Sequence, residues 1–130
     1  MRQKIFLLLI FLISTITYAG TQSYHINNLV GNSFDYVSKN VKNKNEAIRD
    51  EFILKHKDDK ATLYTGVTTL NGFLLDKIEG QFSFYFKADM ATWIVSCYPS
   101  LNIAFVSVHS DASEYGGAKS LNLIGNCVVK

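Results

Sequence analysis

The stretch HSDASEYGGAK, from His109 to Lys119, gathers an imidazole, two carboxylates, a phenol, an amine and a Gly-Gly pair between two apolar runs. Histidine is the side chain best poised to exchange protons near neutral pH. As a reaction centre, His109 would serve as general base, oriented by Asp111 or Glu114, with Tyr115 or Lys119 stabilising charge. Two features speak against that chemistry. The groups follow one another on a single stretch, whereas a catalytic constellation is normally assembled from several rigid elements. No nucleophile elbow and no zinc-binding H-E-x-x-H accompanies them. His25 and His56 lie far away in sequence and in unlike contexts. The chain is therefore not expected to be an enzyme, and a small hydrolase using His109 is the least favoured reading.

The same residues suit a contact surface better. Gly116-Gly117 lets the backbone take positive φ and approach a partner closely. Tyr115 offers a large amphipathic ring with little rotamer entropy to lose, and such residues dominate interface hot spots. Glu114, His109 and Asp111 would supply the polar rim. The bland alternative is a solvated connection between two strands.

The elements that must hold this loop are read from the rest of the chain. The N-terminus, MRQKIFLLLIFLISTITYAG, has Arg2 and Lys4, then an apolar run from Ile5 to Ile13, then small and polar residues ending at Ala19. These are the three parts of a secretory signal peptide cut after Ala19. A membrane anchor fits poorly, because nine helical residues rise only about 14 Å against a hydrocarbon core of roughly 30 Å. Residues 1–19 are thus expected to be removed, 20–130 to form one domain, and the protein to be secreted or periplasmic with no stable membrane anchor. Loss of Arg2 and Lys4 would leave 11 Lys and Arg against 11 Asp and Glu. A neutral chain without a clustered basic face has no nucleic-acid footprint.

Cys97 and Cys127 both fall in the exported part, where two cysteines are expected to form one disulfide. Closing a loop of about 30 residues would stabilise by roughly 3–4 kcal/mol on the chain-entropy model. The C-x-x-C spacing of a redox pair is absent. Two lone cysteines and three scattered histidines show no metal-ligand spacing, so neither metal nor other cofactor is expected.

From Lys60 onward the pattern is β. ATLYTGVTTL runs into Asn71-Gly72, a strong hairpin signal, with FLLDKI returning from it. Glu79-Gly80 turns the chain again. QFSFYF alternates, with Phe82, Phe84 and Phe86 on one face, which reads as the inner side of a sheet. TWIVSCY places Trp93, Val95 and Cys97 together, Pro99-Ser100 breaks it, and LNIAFVSVH and SLNLIGNCVV complete the series, the last bent at Gly125. Short loops favour antiparallel neighbours, giving a meander of about five or six strands.

Before Lys60, NKNEAIRDEFILKH offers Asn43 or Asn45 as N-cap, Glu46 and Asp50 early, Lys55 and Lys57 late, and Ile48 and Phe52 at i,i+4. This order predicts a helix over about 45–57, and an α+β fold with the helix packed on the meander. The competing reading makes EFILKHK a strand turned by Asp58-Asp59 into KATLYTG, and with it a small closed β-barrel. The function expected from all this is a small exported binding protein, an inhibitor or immunity-type partner of an exported enzyme. The alternative is a carrier holding a small apolar ligand in a Phe-lined cavity.

One measurement checks the compartment reading. Protein recovered from its own compartment should begin at Gly20, and its intact mass should be about two units lower before reduction than after.

Overall fold

A period of two runs through the chain almost without a break, and that alternation builds the fold. The computed structural model describes residues 20–37, 40–112 and 117–130. Their strands are β1 (Gln22–Val37), β2 (Asn40–Ile48), β3 (Phe52–Lys57), β4 (Lys60–Tyr64), β5 (Thr69–Ile78), β6 (Gln81–Ala88), β7 (Ala91–Tyr98), β8 (Ile103–Ala112) and β9 (Gly117–Val129). A 3-10 turn, Pro99–Leu101, joins β7 to β8, and no α-helix occurs among the described residues.

Strands β3 to β9 form an antiparallel meander. β1 pairs with β3 through Gln22–Ile26 and with β9 from Tyr24 opposite Val129 to Val37 opposite Gly117. That double pairing closes an eight-stranded antiparallel barrel. β2 returns along the other half of β1, Leu29 opposite Ile48 to Val37 opposite Asn40, and stands outside the ring.

The expected helix over 45–57 is therefore overturned, and with it the α+β plan of a helix on a sheet. The segment is the end of β2, a link at Arg49–Glu51, and all of β3. The i,i+4 pair that suggested a helix lies on no single element: Ile48 closes β2 and Phe52 opens β3, and both pack on the core from their separate strands. Within β3 the period is two, so Phe52, Leu54 and His56 point inward and Lys55 and Lys57 point out. Asp58-Asp59 makes the turn of the competing reading, with Asp58 at φ 53. The closed barrel is the observed architecture.

Asn71-Gly72 also departs from expectation, lying inside β5 rather than at a turn. The turn falls earlier, where the Thr65 N–H donates to the Thr68 carbonyl and Gly66 takes φ 91. Gly72 answers a different need. It sits opposite Phe86, and a Cβ there would stand 1.9 Å from the Tyr85 carbonyl oxygen and 2.6 Å from the Phe86 ring. Glu79-Gly80 does turn the chain into β6, with Gly80 at φ 76.

The core fills the ring. Tyr24, Leu54, Leu63, Phe84, Phe86 and Val106 are all at most 1% exposed. Phe84 and Phe86 lie on the inner face as expected, with Phe82 and Trp93 packed against it. The interior is apolar, and the outer face mixes Lys, Asn, Ser and Thr with exposed apolar side chains such as Val30, Phe73 and Phe105. No helix among the described residues is long and apolar enough to cross a membrane.

The role assigned to Gly72 has a direct check. Gly72→Ala should cost on the order of 3 kcal/mol or more in urea unfolding, because backbone must move, while Asn71→Ala should cost less than about 1 kcal/mol. Equal small costs would show that the close approach at Gly72 is not what requires a glycine there.

Candidate functional site

Closure of the barrel turns every strand's second face outward, and the residues of HSDASEYGGAK are distributed by it. His109, Ser110 and Asp111 belong to β8, and Gly117, Ala118 and Lys119 to β9. Glu114, Tyr115 and Gly116 lie outside the described residues. Gly117 opens β9 opposite both Val37 and Ala112. The Asp111 N–H donates to the Met90 carbonyl at 2.8 Å, tying β8 to the β6–β7 turn. Lys119 lies 3.9 Å from Asp35, an exposed pair of little energetic weight.

His109 projects from the outer wall. Its Nε2 is 3.4 Å from Ser107 Oγ, on the same strand two residues away. The Ser107 hydroxyl donates to Asn122 Oδ1 at 3.1 Å, and the Asn122 amide donates to Ser120 Oγ at 3.2 Å. The hydroxyl proton is thus directed at an amide rather than at the imidazole. This is an exposed polar ladder across β8 and β9, suited to hydrogen bonding with a partner.

Apolar grooves flank that ladder. One, of about 330 Å3, is lined by Val30, Phe34, Phe105 and Ile124. A second, of about 320 Å3, is lined by Phe34, Tyr36, Val41, His109 and Lys119. Phe34 belongs to both, so they adjoin along the wall. Val30 pairs with Ile124 and Ile124 with Phe105, a row crossing β1, β9 and β8. These side chains are 52%, 44% and 47% exposed. The sequence reading missed this surface. Its signal was in LNIAFVSVH, where both alternating sets are apolar: Ala104, Val106 and Val108 fill the core, leaving Phe105 outside. Tyr98 stacks edge-on against Phe105 at 5.7 Å, while Tyr85 pairs with Phe73 elsewhere on the wall.

Inside the barrel, a second cluster holds the groups with altered acidity. Cys97 and Cys127 are thiols in the structure, both buried and hydrogen-bonded to each other. Cys97 on β7 pairs with Ala104 on β8, and Ala104 with Gly125 on β9. Cys127 follows two residues after Gly125 on β9, with β8 between that strand and β7. The bond to Cys127, together with burial, pushes the Cys97 thiol up, and accepting that bond draws Cys127 down. Tyr24 stands nearby, its pKa raised to about 12 by burial first and then by the two sulfurs. Tyr24 stacks on His56 with ring centres 5.6 Å apart, and its hydroxyl is 3.4 Å from Nε2. His56 also meets Phe82 and Phe84. Burial lowers its pKa, with the Asp58 backbone opposing and Lys77 adding to the shift, so the ring is neutral. The Phe-lined interior is thus occupied by the barrel's own side chains. Among the described residues no group of three metal-ligating side chains converges.

Comparison with known protein families, curated proteins and solved structures finds no match to this chain.

Two pH flanks follow. Tyr24 has a folded pKa of about 12 against 10.0 when free, so the folded state keeps a proton that the unfolded chain releases. Stability present below pH 10 is then lost as pH rises toward 12, by on the order of 2–3 kcal/mol. His56 works oppositely: its lowered pKa means that stability present above its free value of 6.5 is lost as pH falls below it. Urea unfolding across pH should show both declines, and Tyr24→Phe should flatten only the alkaline one.

Proposed function

We propose that this is an exported binding protein, secreted or periplasmic, that acts as an inhibitor or immunity-type partner of an enzyme. The observation that carries the reading is the outer wall itself. Two adjoining apolar grooves, flanked by the Ser107–Asn122–Ser120 ladder, run from Phe105 to His109 and Lys119. Large exposed apolar side chains in a contiguous row, rimmed by hydrogen-bonding groups, are the composition of a protein contact rather than of an idle wall. His109 and Lys119 line the second groove; Tyr115 and Gly116, the contact residues offered by the sequence, are carried into this reading from their chemistry alone. Export rests on the cations, short apolar run and small residues before Gly20. In an oxidising compartment the juxtaposed Cys97 and Cys127 form a disulfide that ties β7 to β9 from within, a structural role.

Immobilised protein should retain an enzyme from its native compartment and suppress that enzyme's activity. Phe105→Asp, which places a charge at the centre of the wall, should weaken binding roughly thirtyfold or more, the scale of a hot spot. Its melting temperature should hardly move. Tyr115→Ala should weaken binding less. Equal retention by wild type and Phe105→Asp would overturn the outer wall as the contact.

A further inference from the structure

β2 is the one strand of the ring's neighbourhood that pairs on a single side among the described residues. Its sequence, NVKNKNEAI, is nine residues long and exposed along Asn40–Asn45. An unpaired edge of this length is a template for another strand, and proteins usually block such edges with lysine. Lys42 and Lys44 fit that protective role against most chains. They do not block a strand that brings a carboxylate opposite them, and β2 carries one itself. Glu46 sits two residues beyond Lys44 on the same face, its Oε1 held by the buried Ser33 hydroxyl at 2.9 Å.

We propose that β2 binds β2 of a second copy of this chain, antiparallel, about a two-fold axis at Asn45. Directly opposite residues in such a pair share a face. In this register Lys44 faces Glu46 of the second copy, and the symmetry makes that pair twice. Asn45 faces its own counterpart, Asn43 faces Ala47, and the Lys42 stem lies along Ile48. The neighbouring registers are poorer in charge. A two-fold at Lys44 pairs Lys42 with Glu46 twice but sets the Lys44 ammonium against itself on the axis, one at Asn43 sets Lys42 against Lys44 twice, and one at Glu46 opposes two carboxylates. Like charges directly opposite are destabilising. The occupant is thus a second copy, chosen by self-complementarity of β2. This pairing stands independently of the outer-wall reading.

A seven-residue strand pair is a small interface, so association is weak. Sedimentation velocity of the purified protein, up to about 1 mM, should show a shift from monomer toward dimer with concentration. Lys44→Glu and Glu46→Lys should each raise the dissociation constant roughly tenfold or more, since each turns two attractive contacts repulsive. The double variant Lys44→Glu/Glu46→Lys restores opposite charges and should return within about threefold of wild type. Circular dichroism of each variant keeps folding separate from association. A monomer at every concentration overturns the proposal. So does a dimer indifferent to both single changes, or one that the double swap fails to rescue.

Discussion

The seam between β1 and β9 is the constraint on which the rest of the molecule depends. Both strands would otherwise be open edges, and the sheet would have no inside. Pairing them from Tyr24–Val129 to Val37–Gly117 curls the sheet fully, and the curvature dictates which residues can stand within. Strands that bend this tightly need small residues where backbones approach. A Cβ on Gly31 would stand 1.9 Å from the Asn122 carbonyl oxygen across the seam, and one on Gly125 would stand 2.5 Å from that of Asn27. The register shift between Asn27 and Val30, with Asn28 at φ 54, relieves the same bend on β1. Once the ring is closed, the positions of the sulfurs, the Tyr24–His56 stack and the outer grooves are all fixed by alternation.

How far this was legible depended on whether a residue's reason was local. QFSFYF and TWIVSCY declare their inner faces because one alternating set is much more apolar than the other. Glu79-Gly80 and Asp58-Asp59 declare turns because backbone sign alone decides them. The N-terminal half failed where Ile48 and Phe52, four apart in sequence, proved to belong to two different strands, and where charge order mimicked a helix dipole along a strand whose cations face solvent. Asn71-Gly72 misled for a related reason: the glycine is required by the ring of Phe86 and the Tyr85 carbonyl, fourteen and thirteen residues downstream, which no local rule can see.

The chemistry-bearing residues divide along the same line. HSDASEYGGAK drew notice because its groups are adjacent in sequence, yet the wall is made of residues contributed by three strands. Val30, Ile124 and Phe105 become neighbours only through closure. Tyr24 and His56, thirty-two positions apart, likewise meet only because β1 lies beside β3. Adjacency in sequence located the rim of the surface, and topology supplied its centre.

The seam also sets a timetable. Contacts between residues near opposite ends of a chain cannot form until nearly all of it is available, and such non-local pairing is slow. A chain that emerges N-terminus first offers β1 its partners β2 and β3 early, while β9, which completes the ring, is the last strand delivered. Until then Tyr24, Ile26 and Leu29 have no enclosed interior to enter. The ring therefore cannot close before β9 is available to β1, whatever order the other strands pair in.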